Sequence, residues 1–326
     1  MYITRCILTL LFCLMMLTYG VASAQDPSSL SGQAYPVKPI RIVTSLAGGG
    51  NDFKSRLIAQ GIAEPLGQPV IVDNRATFAT IETVMKAPPD GYTLLVQGGT
   101  VWIYPLMAKT VFDAFRDFAP ITLVTSAASL VVVHPALPVK SIRELIALAK
   151  AKPGELNYGS GTSGTSAHLQ TELFKSMAGL NILRVPYKGG GPTLIGLFSG
   201  EVQVMIEGIG EMGPHVNSGK LRGLAVTSLT PSPQFPKLPT VAASGVPGYE
   251  AVQLTGMWAP AKTPDAIVKR INQEVVRVLG QPDAKAKLFD TGGEAGRDTP
   301  EEFAARLKAD IVRWTKVIRE AGIKAE

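Results

Sequence analysis

The chain reads Leu156-Asn157-Tyr158, then Gly159-Ser160-Gly161-Thr162-Ser163-Gly164-Thr165-Ser166, then Ala167-His168-Leu169-Gln170-Thr171-Glu172-Leu173. A short strand-like run meets a loop of only glycine, serine and threonine, which opens into an amphipathic helix. Strand, tight loop and helix in that order are the unit from which α/β folds are assembled. Such a loop can bring backbone N–H groups and hydroxyls to bear on an anion, with the helix N-terminus adding positive potential. Its glycines let the backbone approach closely, and its hydroxyls add donors without charge. Ser160, Gly161, Thr162 and Thr165 are therefore candidate ligand contacts, and His168 lies close enough to approach the same place. The blander reading is a turn of small residues built for packing alone.

The loop also matches G-x-G-x-x-G at Gly159, Gly161 and Gly164. A dinucleotide site wants an acidic residue at the end of the following strand. That strand ends in Tyr187-Lys188-Gly189-Gly190-Gly191, with no carboxylate to hold a ribose. No nucleotide, and no other cofactor, is expected.

Working outward, β-branched runs alternate with helical ones. Strands are expected over 40–44, 70–72, 92–96, 121–124, 130–134, 182–185, 202–206, 223–227 and 253–260. Helices are expected over 52–66, 80–86, 141–150, 166–178, 192–199, 264–279 and 300–321. The proline-rich stretch 228–248 reads as an irregular connection. The alternation predicts an α/β fold with mostly parallel sheets, in which ligands bind at the carboxyl ends of strands. Four glycine-rich segments fall at such ends: 46–52, 98–100, 159–166 and 188–192. Loops of one chemical character at equivalent positions imply one shared crevice.

Arg5, the apolar run 7–17 and Ala22-Ser23-Ala24 have the form of a secretory signal cleaved after Ala24. A retained N-terminal anchor is the alternative. Residues 25–35 then read as a flexible leader. Both cysteines, Cys6 and Cys13, lie inside the signal, so the mature chain has neither a disulfide nor a thiol nucleophile. With Arg5 removed, the formal charge falls from +6 to +5. The remaining basic residues are scattered, which argues against a nucleic-acid surface.

The order of segments resembles the Bug-type extracytoplasmic solute receptors of tripartite tricarboxylate transporters. The residues that carry the resemblance include Tyr35-Pro36, Lys38-Pro39-Ile40-Arg41-Ile42-Val43, Gly48-Gly49-Gly50-Asn51-Asp52 and Leu66-Gly67-Gln68-Pro69-Val70. Asp73-Asn74-Arg75, Ala87-Pro88-Pro89-Asp90-Gly91-Tyr92, Leu156-Asn157-Tyr158-Gly159-Ser160, Val185-Pro186-Tyr187-Lys188-Gly189 and Trp258-Ala259-Pro260-Ala261 follow in order. The resemblance implies a type II periplasmic-binding-protein fold, two lobes with a ligand cleft between them. One lobe would comprise 36–127 plus 249–326 and the other 128–248. It also implies a periplasmic monomer that binds a small carboxylate ligand and hands it to integral-membrane transporter subunits. A sensor kinase is the alternative partner. Leu46, Gly49, Asn51 and Asp52 in the first loop, and Gly99 and Thr100 in the second, join the candidate contacts. One departure stands out: where the family has a glycine-rich turn, this chain has Ala76-Thr77-Phe78-Ala79-Thr80. Thr77 and Phe78 would restrict backbone approach there, and Phe78 either walls the pocket or packs into the lobe.

An enzyme is disfavoured. No G-x-S-x-G elbow occurs, and His134, His168 and His215 have no partnered nucleophile motif. No metal is expected, since neither clustered histidines nor cysteine pairs are present. Three polar residues complete the candidate set. Glu207 ends a strand, where it would bind a ligand amine or hydroxyl or else cap the next segment. Tyr187 offers a phenol, and Lys188 offers an ammonium to a second carboxylate.

Overall fold

The computed structural model describes residues 35–161 and 163–324. The expected signal at 1–24 and nearly all of the leader, as well as Thr162, lie outside the described residues.

Two wings of parallel strands flank an antiparallel centre. In the first wing, β1 (Ile40–Thr44) sits between β2 (Val70–Asn74) and β3 (Thr93–Gln97), parallel to both. In the second, β5 (Asn157–Ser160) pairs in parallel with β6 (Leu183–Pro186) and β7 (Val204–Gly208). Between them run β4 (Phe118–Val133) and β9 (Val252–Pro260), antiparallel to each other and to β7 and β3 respectively. β8 (Arg222–Val226) and β10 (Gly293–Ala295) add antiparallel partners to β4. The order β2-β1-β3-β9-β4-β7-β5-β6 makes one curled sheet shared by two lobes. The expectation of mostly parallel sheets is thus corrected: parallel pairing is confined to the wings. A strand that carries the chain between lobes need not return through a helix, so it is free to lie antiparallel.

The wings carry α1 (Gly50–Leu66), α2 (Thr77–Met85), α3 (Ile142–Ala151), α4 (Ser166–Ala178) and α5 (Gly190–Ser199). α6 (Ile209–Asn217), α7 (Asp265–Gly280), α8 (Pro282–Asp290) and α9 (Pro300–Glu320) complete the set. Ser141 accepts a hydrogen bond from the Glu144 N–H at the start of α3, and Thr299 with Glu302 forms a full capping box on α9.

Two strands expected at 121–124 and 130–134 are one. The intervening Thr125-Ser126-Ala127-Ala128-Ser129 has modest strand propensity, but it pairs with β9 as far as Ala128 and with β7 from Ser129. Tertiary pairing outweighs local preference there. α6 and α8 have no counterpart among the expected helices. α6 contains Gly210, Gly213 and Pro214, all poor helix formers, and is held by burial of Ile209 and Met212.

One hydrophobic core gathers Val43, Leu95, Trp102, Trp258 and Phe303. Another gathers Val131, Tyr158, Leu169, Phe174 and Tyr249. α9 contributes to both: Phe303 and Leu307 to the first, Trp314, Val317 and Ile318 to the second. β4, β9 and α9 therefore tie the two cores together.

Candidate functional site

α1, α4 and α6 are helices of 17, 13 and 9 residues. None has a side-chain hydrogen bond at its N-cap (Gly49, Thr165 and Gly208 respectively), so each presents unsatisfied backbone N–H groups. All three N-termini open on one cavity of about 460 Å³, reached by Gly49, Gly50 and Asn51, by Ser166, and by Gly208, Ile209 and Gly210. Its floor is β9, through Val252, Gln253, Leu254 and Thr255, with Ala127 of β4 beside it. Positive potential from three helix ends thus converges on a space of ligand size.

The glycines of α6 allow a close crossing at this end. A Cβ on Gly210 would lie 2.7 Å from the Thr291 carbonyl oxygen. Gly292 faces it with φ +86°, and a Cβ there would lie 2.8 Å from the Gly210 nitrogen. Only glycine permits both, and this places the first turn of α6 against the cavity.

A network of neutral groups braces the first loop. The Asn51 amide donates to Gln97 Oε1 at 2.7 Å, and the Gly98 N–H donates to the same oxygen at 2.9 Å. Gln97 Nε2 donates to Ser45 Oγ at 3.0 Å. Asp52 lies beneath this network rather than in the cavity. Its carboxylate accepts from the Gly48 N–H at 2.9 Å and from Asn74 at 2.8 Å, and it pairs with Arg56 at 3.0 Å. The Gly48 N–H above all, then Arg56, holds its pKa near 2 against the opposing effect of burial.

The charged residues that line the cavity are Lys54, Glu207, Glu211 and Asp310. Lys54 on α1 donates to Thr255 Oγ1 at 2.7 Å and makes no ion pair among the described residues. Burial lowers its ammonium to about 8. Glu207 ends β7 at the wall; Oε1 accepts from the Gly208 N–H at 2.9 Å and from Gln253 Nε2 at 3.3 Å. Burial, reinforced by the Glu211 carboxylate and opposed by those two donors, raises its pKa to about 7. Asp310 of α9 is buried and accepts from the Trp102 indole N–H at 2.7 Å, and burial pushes its pKa upward.

A second, more open chamber of about 590 Å³ continues from the first across Gly99, Ile103, Ser166, Leu169, Glu207 and Gln253. Thr77, Phe78, Thr100, Tyr104, Met107, Ser163, Gly164 and Thr165 complete it. Thr77 and Phe78 occupy the first turn of α2, so this segment needs no left-handed residue. Phe78 stands edge-on to Tyr104 with ring centroids 4.8 Å apart and remains 43% exposed, so it both packs and walls the chamber.

Of the candidates named from sequence, Gly49, Asn51, Thr77, Phe78, Gly99, Thr100, Thr165 and Glu207 line this crevice. Thr162 lies outside the described residues, and the others sit elsewhere. Leu46 is exposed, and Asp52 is a brace. Ser160 is fully buried, accepting from Arg184 Nε at 2.9 Å, and Gly161 gives its carbonyl to the same guanidinium at 2.8 Å. His168 is buried with Nδ1 accepting the Gly164 N–H at 3.1 Å, which fixes the loop ahead of α4. Tyr187 packs against Gly196 of α5, where an added Cβ would meet its hydroxyl. Lys188 is exposed outside the crevice. Sequence reasoning passed over Lys54, Gln170, Gln253 and Thr255. Each stands inside a helix or strand with no motif around it; only an ionisable residue on the inner face of an otherwise buried helix turn marked Lys54.

The family model described as the tripartite tricarboxylate transporter family receptor matches residues 55–323. Protein BugT of Bordetella pertussis is 32% identical over 311 residues, covering 93% of this chain and 95% of its own. Among solved structures, Rpa4515 of R. palustris with adipate is 36% identical with a TM-score of 0.75, covering 89% of this chain and 99% of the other. MatC from Rhodopseudomonas palustris with bound malate is 30% identical with a TM-score of 0.71, covering 87% and 100%.

Proposed function

This chain belongs to the tripartite tricarboxylate transporter family of receptors, and from that premise we propose that it captures a small carboxylate-bearing solute between its lobes for delivery to a membrane transporter. The observation that carries the site assignment is Lys54: an ammonium without a carboxylate partner among the described residues, in a cavity reached by three uncapped helix N-termini. A carboxylate placed there gains a charge-assisted hydrogen bond from Lys54 and N–H donors from the first turns of α1 and α4. Solved relatives with adipate and with malate support that ligand class.

The working step is lobe closure, with residues 36–127 plus 249–326 against 128–248. The change of partners along β4, from β9 to β7 at Ala128 and Ser129, supports that division. α9 is shared, since its last turns pack on the second core. Export through the N-terminal signal, cleaved after Ala24, places the receptor in the periplasm. The reading is of a binding protein rather than an enzyme, because the matching family model describes a transporter receptor.

A thermal-shift screen of residues 25–326 against aliphatic mono-, di- and tricarboxylates, adipate and malate among them, tests this directly. A ligand at a hundred times its Kd stabilises by about 2.7 kcal/mol, several degrees in Tm. Such a shift from at least one carboxylate is expected. No shift from any of them overturns the reading.

A further inference from the structure

One buried side chain reaches both chambers through its partners. Gln97 closes β3 and is 3% exposed, and Thr80 beside it is fully buried. The Gly98 N–H can only donate, so the Gln97 atom that receives it at 2.9 Å is Oε1, and the other end of the amide is the donor. With the amide fixed in that sense, Oε1 also accepts from Asn51 Nδ2 at 2.7 Å. Nε2 donates to Ser45 Oγ at 3.0 Å and to Thr80 Oγ1 at 3.3 Å. Two lone pairs and two N–H groups are thus all engaged. The chain of bonds continues past Gln97: the Thr80 hydroxyl, accepting from Nε2, donates its own proton to the Thr77 carbonyl at 2.5 Å. Both ends of this chain border ligand space. Ser45, Asn51 and Gly98 line the inner cavity, and Thr77 lines the outer chamber, whereas Gln97 and Thr80 line neither.

We propose, resting on the receptor reading above, that Gln97 is a positioning residue for the ligand site: it sets where Asn51 and Gly98 stand in the inner cavity and ties them to the α2 turn of the outer chamber, so that a change at that turn is felt by ligand groups in the inner cavity. Three segments distant in sequence, the loops after β1 and β3 and the first turn of α2, take their places from this one amide. A fully satisfied buried amide holds its partners firmly, because letting go of any one leaves a donor or acceptor unpaired away from water. Thr80 is the residue that attaches the glycine-free segment 76–80 to the first loop.

Calorimetry on the purified protein tests this, with the tightest carboxylate of the thermal-shift panel, adipate and malate among them, as the probe. Gln97→Met keeps the length of the side chain and removes all four bonds. It is expected to weaken the probe about tenfold or more while the binding stoichiometry of the folded protein stays the same. Thr80→Val is isosteric and is expected to weaken the probe about threefold, yet to add nothing further in the Gln97→Met protein, because Thr80 acts through Gln97. A role in stability alone would lower Tm in both variants and leave the Kd of the folded protein where it was. A Kd in Gln97→Met within about twofold of wild type overturns the proposal and leaves the receptor reading standing. So does a loss from Thr80→Val that persists undiminished in the double variant. If Gln97→Met does not fold, Thr80→Val decides alone: a weakened probe supports the proposal, and wild-type affinity overturns it. No binding of any panel member to the wild-type protein removes the receptor reading itself, and this proposal with it.

Discussion

Two loops follow parallel strands in the two wings, and both are rich in glycine, yet they do different work. In the loop after β5, the first two glycines are small because neighbours fill the space. A Cβ on Gly159 would lie 2.6 Å from Thr193 Cγ2, and one on Gly161 would lie 3.2 Å from Thr165 Cγ2. Its buried hydroxyl and carbonyl are held by Arg184. Only its last residues, with the start of α4, reach the crevice. In the loop after β1, Gly49, Gly50 and Asn51 face the cavity directly, and Lys54 adds a cation one turn further along. A glycine-rich turn therefore marks a helix N-terminus reliably, but it does not say which of its own residues meet the ligand.

Substitutions can break or sharpen this contrast. The largest effect is expected at Lys54. Losing a charged hydrogen bond of about 1.5–3 kcal/mol, Lys54→Met should weaken the best carboxylate by ten- to a hundredfold in a calorimetric titration. The same variant should make the empty protein more stable near neutral pH. Burial lowers the folded-state pKa of Lys54 from 10.5 to about 8, so the folded state binds its proton less well than the unfolded chain. Wild-type stability should accordingly rise with pH between about 8 and 10.5, and the variant should lose that slope in denaturant titrations.

Asp52→Asn tests the brace under the same loop. A carboxyl held near 2 instead of 3.8 contributes about 2 kcal/mol at neutral pH by linkage. Because this pKa is depressed, the contribution is present above 3.8 and is lost as pH falls towards 2. The deficit of the variant should be full at pH 7 and should close in acid, as read from urea midpoints. Ser160→Ala carries the contrast into the other loop. It removes one acceptor from Arg184, so a loss of about 1 kcal/mol in stability is expected, with carboxylate affinity unchanged within twofold. A large loss of affinity there would mean that the two loops share the ligand after all. The smallest effect is expected from Phe78→Ala, which opens the outer chamber beside Tyr104. Long-chain carboxylates should weaken about threefold, under 1 kcal/mol, while short ones stay the same.

The α/β class, the strands at 40–44 and 253–260, the Ser141 cap and the opening of α4 were all legible, because each rests on local periodicity or capping chemistry. The continuous β4 and the helix at 209–217 were not. Both persist through pairing and burial that only the folded chain supplies: β4 runs between β9 and β7, and Ile209 and Met212 anchor a segment of poor helix formers. The site divides in the same way. Backbone donors at loop-to-helix junctions were readable as Gly49, Asn51 and Thr165. The polar side chains Lys54 and Gln170, which line the cavity, lie within helices, and which of their faces turns inward depends on how the lobes are assembled.

The most direct test of the account is a crystal structure of the protein with the tightest-binding carboxylate from the screen. The account predicts the carboxylate within hydrogen-bonding distance of Lys54 Nζ and of the backbone N–H groups of Gly50 and Asn51. A carboxylate seated instead against Ser160 and Lys188, with Lys54 still bonded only to Thr255, would contradict it.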